Sequence, residues 1–147
     1  ELHVPFVINQ NRYSIFDRTV ENNGLKETAA KLHKGIITFS PLAQGLLTNR
    51  YLDGIPADSR VHTDGRFLKE KDITPEKIAK IRALNEIAAA RGQTLAEMAL
   101  AWLLSHEEIT TVLIGASKTQ QILDNIKAVQ KMKFTAEELA EIDRISK

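Results

Sequence analysis

Residues 112–126 read VLIGASKTQQILDNI. A short apolar run, Val112 to Ile114, is too brief for a helix, and it breaks at Gly115-Ala116-Ser117. Thr119 to Val129 then carries Ile122, Ile126 and Val129 at helical spacing. This reads as a buried strand delivering the chain into a helix through a small-residue turn. Two more runs of the same kind lie upstream. Phe6 to Ile8 precedes Asn9-Gln10, and Ile36 to Phe39 precedes Ser40-Pro41. None of the three alternates with polar residues, so each is expected to be a strand of a parallel sheet covered on both faces.

Helical patterns fill the intervals. Gly24 to Lys34 carries Leu25, Ala29 and Leu32, with Gly35 as its stop. Thr74-Pro75 supplies a cap followed by proline at the first helical position. Ile78, Ile81, Leu84 and Ala88 then form a stripe that ends at Gly92. Thr94 to Glu97 and Thr135 to Glu138 have capping-box spacing and open two further helices. The first of these is apolar on nearly every side from Leu95 to Leu104, so it is expected to be buried; the second runs through Leu139 and Ile142. Strand, helix, strand, helices, strand, helix is an α/β order with parallel strands. The segment from Gly45 to Ile73 interrupts it with turn signals at Asp53-Gly54, Ile55-Pro56 and Asp64-Gly65. A loop of that length after a strand's carboxyl end is where such folds place their sites.

Composition narrows the classes. The 147 residues suit one domain, with 20 basic and 19 acidic side chains and no cysteine. There is no sequence-wide positive field for nucleic acid or an anionic membrane. Disulfides, thiolate metal sites and a cysteine nucleophile are excluded. No apolar run approaches the roughly 20 residues of a membrane span, and ELHVPFVINQ lacks signal-peptide character. A cytoplasmic protein with no membrane insertion is expected.

Several chemistries are missing. The seven glycines are too widely spaced for GxGxxG, and there is no GxxxxGK[ST] loop. His3, His33, His62 and His106 do not pair at metal-ligand spacing, so no metal site is expected. His33 and His106 fall near helix C-termini and read as surface histidines, and His3 as a terminal loop residue. His62 reads equally as a ligand contact or a solvated side chain. Lys77, Lys80 and Arg82 read as a solvated helix face. In Gly115-Ala116-Ser117-Lys118-Thr119, an anion site of backbone N–H groups, a hydroxyl and an ammonium competes evenly with a plain helix cap. The second strand ends in a comparable way, at Ser40-Pro41-Leu42-Ala43-Gln44-Gly45. In (β/α)₈ barrels the loops after the last two strands commonly hold a phosphate.

VINQNRYSIF, TFSPLAQGLLTNRY, PADSR at residues 56–60 and LIGASKTQQILDNI, in this order, resemble the C-terminal half of the aldo-keto reductases. The likeness is greatest to the branch of potassium-channel β subunits and bacterial L-glyceraldehyde-3-phosphate/methylglyoxal reductases. The resemblance implies the C-terminal portion of a (β/α)₈ TIM barrel, about three strands with their helices, that binds NADPH without a Rossmann motif. It implies that Gln10 holds the nicotinamide carboxamide and that Phe39 stacks on the nicotinamide ring. It implies that Ser40, Pro41, Leu42, Gln44 and Gly45 wrap the pyrophosphate and that Arg50 and Arg60 approach the cofactor phosphates. Gly115, Ser117, Lys118, Gln121 and Asn125 then take the adenosine and 2′-phosphate end. Gln121 stands where many members have arginine, and Phe39 where channel subunits have tryptophan and other members tyrosine.

The family's Asp, Tyr, Lys and His tetrad lies in its N-terminal half, and no position of this sequence aligns with it. No catalytic residue is therefore expected here, and residues 1–147 by themselves are expected to be inactive. Tyr13, just past the first strand, is expected to line or pack near the cofactor cleft. A barrel of this kind takes about 250 residues, so residues 1–147 are expected to be the C-terminal part of one barrel domain. The expected activity of the whole protein is NADPH-dependent reduction of small aldehydes or ketones, with homo-oligomers compatible. The alternative from the same resemblance is a channel-associated, redox-sensing subunit. A free-standing half-barrel is disfavoured because its strand edges would be unpaired.

Overall fold

The computed structural model describes residues 5–57, 59–63, 65, 66 and 68–147, without the side chains of Arg60 and Thr63. Three strands, β1 (Ile8–Arg12), β2 (Gly35–Phe39) and β3 (Ile109–Val112), form a parallel sheet in the order β1-β2-β3. The helices are α1 (Thr19–Asn22), α2 (Leu25–Lys31), α3 (Arg60–Thr63), α4 (Pro75–Ala90), α5 (Leu95–Leu104), α6 (Thr119–Asn125) and α7 (Ala136–Ser146).

The helix starts follow their signals. Thr74 Oγ1 accepts from the Lys77 amide, with Pro75 at the first helical position. Thr94 and Glu97, like Thr135 and Glu138, exchange both capping-box bonds. Gly92, with φ +68°, follows the end of α4. Ile81, Leu84 and Ala88 of α4 and seven of the ten residues of α5 are buried. Ile81, Leu84, Ala88 and five of those α5 residues make one core with Tyr13, Ile15, Leu47 and Tyr51, which lies against the helix-covered face of the sheet, while Leu100 and Ala101 pack with Ala128 in a second cluster.

Two strands sit elsewhere than their apolar runs. β1 is INQNR, and Phe6 and Val7 precede it, 47% and 80% exposed. Pairing decides this: the ladder aligns Ile8 with Gly35 and Arg12 with Phe39. Gly35 is required there, because a Cβ would collide with Thr110 Oγ1. β3 ends where its apolar run begins. Ile36 pairs with Ile109, a register shift follows, and Leu113 N donates to Thr38 O at 2.8 Å as the chain leaves the ladder.

Burial of the sheet is also one-sided. In β2, Ile36 and Thr38 are buried while Gly35, Ile37 and Phe39 are half-buried. Side chains alternate along a strand, and paired residues share a face. Ile8, Gln10, Arg12, Ile37 and Phe39 therefore occupy the face without helices. The helix expected over Thr119 to Val129 is shorter than its stripe. α6 stops at Asn125 and tightens into a 3₁₀ turn, Ile126–Gln130, with Asn125 and Ala128 inside. Ile122, Ile126 and Val129 are exposed. The 45–73 segment is held by buried Leu46, Leu47, Tyr51 and Leu68 and contains α3 and two 3₁₀ turns. Its Asp64 turn signal lies outside the described residues, as does His3.

Candidate functional site

The turn leaving β2 is shaped by its backbone. Ser40, Ala43 and Gln44 take positive φ of 54°, 47° and 62°, and Gly45 takes 98°. Left-handed non-glycine residues are costly and persist where surroundings over-determine them. Here Ala43 N and Gly45 N donate to Ser40 O and Leu42 O at 3.0 and 2.9 Å. Gln44 Nε2 donates to Ser40 Oγ at 3.1 Å, and Thr48 Oγ1 donates to Gly45 O at 2.7 Å. Buried Leu47 and Tyr51 anchor the far side.

The segment leaving β3 closes on itself. The Oε1 of Gln121 accepts from Ser117 N at 2.8 Å, Lys118 N at 3.2 Å and Ser117 Oγ at 3.3 Å. A neutral carbonyl oxygen thus occupies the point on which two amides and a hydroxyl converge. The Lys118 ammonium has no ion pair among the described residues, whereas Lys127 pairs with Asp124 at 2.8 Å. Hydrogen bonds from Lys127 and Gln120 hold the Asp124 carboxyl below the usual carboxylate range.

Between the two turns lies an open cleft of about 1060 Å³. Of the fourteen site residues expected from the sequence, twelve line it: Phe39, Ser40, Pro41, Leu42, Gln44, Gly45, Arg50, Gly115, Ser117, Lys118, Gln121 and Asn125. Gln10 does not; it stands exposed on β1, on the helix-free face and two register steps before the Arg12–Phe39 pair. Arg60 is the first residue of α3, and its side chain lies outside the described residues. Sequence reading missed Thr94, Glu97, Asp124 and Lys127 in the wall. The capping box at Thr94 marked a helix start, but nothing local tells that this start opens onto the cleft.

Tyr13 and His106 differ from expectation. Tyr13 is fully buried and faces the core instead of the cleft. Its hydroxyl donates to Glu21 Oε1 and lies 3.3 Å from His106 Nε2. His106 is half-buried, packed edge-on against Trp102 at 4.5 Å between centroids. Its Nδ1 lies 2.8 Å from the Trp102 carbonyl, which can only accept, so Nδ1 carries the proton. Burial, the Glu21 hydrogen bond and that carboxylate's charge push the Tyr13 hydroxyl well above its ordinary range, so Tyr13 stays protonated. His33 is exposed, as expected of a surface histidine, and His62, for which the sequence favoured neither reading, is exposed on α3. The α4 cations do not simply face solvent: Arg82 donates to Leu52 O at 2.8 Å, and Lys77 lies 4.3 Å from the Phe16 ring centre. No described helix is long and apolar enough to cross a membrane, and no cluster of metal-ligating side chains occurs among the described residues.

The sequence model of the aldo/keto reductase family matches residues 1–147. The chain belongs to the aldo/keto reductase family. It is 46% identical to an L-glyceraldehyde 3-phosphate reductase of Escherichia coli O157:H7 over 147 residues, covering 98% of this chain and 42% of that protein. The L-glyceraldehyde 3-phosphate reductase of Escherichia coli strain K12 is 45% identical with the same coverage. This aldo-keto reductase chain therefore spans less than half the length of the curated relatives it matches. Among solved structures it is similar to an aldo-keto reductase from Bacillus halodurans in its holo form, with TM-score 0.72 and 26% identity over 99% of this chain and 44% of that one. It is also similar to a thermostable aldo-keto reductase solved with the inhibitor epalrestat, with TM-score 0.68 and 26% identity over 97% and 41%. The parallel strands and their helices are thus a portion of the family's TIM barrel, corresponding to its C-terminal half.

Proposed function

We propose that this chain carries the NADPH cradle of a reductase acting on small aldehydes and ketones, with L-glyceraldehyde 3-phosphate and methylglyoxal as the leading substrates. The observation that carries the reading is the cleft itself. Two separate turns, one after β2 and one after β3, bring a ring, hydroxyls and cations to one cleft. Its volume of about 1060 Å³ suits a ligand of dinucleotide size. The Gln121 oxygen, resting on Ser117 N and Lys118 N, occupies an acceptor position that a phosphate oxygen fits.

In this reading the bound nicotinamide supplies the hydride, and the protein supplies position and electrostatics. Phe39 presents its ring to the nicotinamide, and the Gln10 amide can both donate to and accept from the carboxamide. The left-handed turn from Ser40 to Gly45 holds the pyrophosphate against backbone, with Arg50 and Arg60 as its cationic side. Lys118, Ser117 and Gln121 read the 2′-phosphate, and Gly115 and Asn125 border the adenosine. Residues 1–147 then belong to a single barrel domain of a cytoplasmic enzyme. Tyr13 faces the core and is therefore not the residue that protonates the alkoxide formed from the carbonyl.

The test is NADPH oxidation by the full-length protein with a panel of short aldehydes. Turnover of at least one is expected, and turnover of none would overturn the reading.

A further inference from the structure

Arg12 ends β1 and is the register partner of Phe39, so its side chain stands beside the Phe39 ring on the helix-free face. The guanidinium carbon is 5.8 Å from the ring centre. Phe39 lines the long cleft and also a second cavity of about 300 Å³, whose other walls are Asn11, Arg12, Asp17, Thr19 and Val20. A small molecule in that cavity would therefore meet the same ring as a ligand in the cleft.

Arg12 is also the least committed arginine of this region. Arg18 donates to Glu21, Asp143, Ser146 and the Ile15 carbonyl. Arg91 is similarly filled by Glu138, Gln93 and two backbone carbonyls. Arg12 makes no hydrogen bond among the described residues. Its one charged neighbour is Asp17, with Nε 4.0 Å from Oδ2 and the arginine side chain 57% exposed. Asp17 is itself engaged, since its Oδ1 accepts from Thr19 N at 3.2 Å and Thr19 Oγ1 at 2.8 Å. The Nε edge of Arg12 thus faces Asp17, while its two Nη groups have no hydrogen bond among the described residues, and such a pair of donors matches a phosphate in bidentate fashion.

We propose that Arg12 is a substrate-specificity residue, which binds the phosphate of a short phosphorylated aldehyde and so sets a preference for phosphate-bearing over uncharged substrates. This deepens the reductase reading given above and rests on it. The small cavity suits a three-carbon substrate, and the fork gives the phosphate a fixed end from which the carbonyl reaches toward the nicotinamide that Phe39 carries in the proposed reading.

The experiment compares glyceraldehyde 3-phosphate with glyceraldehyde in the full-length enzyme, as wild type, Arg12→Gln and Arg12→Lys. In Arg12→Gln the ratio of kcat/KM for the phosphorylated over the plain aldehyde is expected to fall tenfold or more, mainly through KM. Arg12→Lys is expected to restore part of it. Inorganic phosphate should compete with substrate in the wild type and lose that effect in Arg12→Gln. An unchanged ratio in Arg12→Gln, or phosphate inhibition that survives the substitution, would overturn the proposal. Wild-type turnover of glyceraldehyde with no phosphate preference sinks this inference alone, whereas turnover of neither aldehyde, nor of any other in the panel, sinks the reductase reading beneath it.

Discussion

Arg91 Nη1 donates to Glu138 Oε2 at 2.5 Å, joining the residue after α4 to the first turn of α7. The other guanidinium donors reach Gln93 Oε1 and the carbonyls of Lys131 and Lys133, and the Phe134 ring lies 3.7 Å from its centre. The arginine side chain is only 2% exposed. Removing the guanidinium leaves Glu138 only its capping bond from Thr135 N and Lys131 O only the weaker bond from Gln93, and breaking a buried pair in this way costs about 3 to 5 kcal/mol. Arg91→Ala is therefore expected to lower the unfolding free energy by that order. Arg91→Lys recovers little, since one ammonium cannot reproduce the planar fork. Chemical denaturation of the full-length protein checks both. Loss below about 1 kcal/mol for Arg91→Ala would show that the cluster holds nothing together.

Phe39 tests the cofactor end of the cleft. Stacking of a planar ring on phenylalanine contributes about 0.5–1.5 kcal/mol beyond burial, so Phe39→Ala should weaken NADPH roughly two- to tenfold. Phe39→Trp should keep the affinity. Fluorescence titration of both variants separates stacking from simple loss of apolar surface.

Lys118 tests cofactor choice. Only NADPH carries the 2′-phosphate, and a hydrogen bond to a charged group contributes about 1.5–3 kcal/mol. Lys118→Ala is expected to weaken NADPH by roughly tenfold or more while leaving NADH nearly unaffected. Equal losses for the two cofactors would show that Lys118 does not read that phosphate.

His106 predicts a pH dependence of stability. Burial, followed by the charge of Lys26, holds its imidazole below the ordinary value of 6.5. Between the folded and unfolded values the unfolded chain binds more protons, so stability rises with pH. The contribution is whole above about pH 6.5 and is lost as the pH falls below it. His106→Asn keeps an amide donor for the Trp102 carbonyl and removes the titration. Unfolding free energies measured from about pH 5 to pH 7 should then show a shallower fall than in the wild type. An unchanged slope would assign the acid lability to other groups.

The parts of the structure that were legible in the sequence are those with local causes. The Thr74, Thr94 and Thr135 caps and the buried α5 are set by neighbours within a few residues. Strand placement was less legible, because β1 is defined by its pairing with Gly35–Phe39 and not by its own hydropathy. The stripe at Ile122, Ile126 and Val129 signalled a helix face, but its exposure depends on which elements stand opposite it. Most of the cleft was visible because its residues cluster in two short motifs. Glu97 and Lys127 were not, since only the folding of α5 and the 126–130 turn brings them to that wall. His106 read as a surface residue from its place at a helix end, and only tertiary contact with Tyr13 and Trp102 reveals the buried network.

The positive dihedrals at Ser40, Ala43, Gln44 and Gly45 also bear on how this protein tolerates drift. Main-chain dihedrals make that turn together with the Gln44 side chain, which donates to Ser40 Oγ, so residues that accept a positive φ fit position 43 and an amide best fits position 44. A β-branched residue there would instead be selected against at once, because it opposes the dihedral itself. Variation at this turn is thereby filtered by conformation before it is filtered by chemistry.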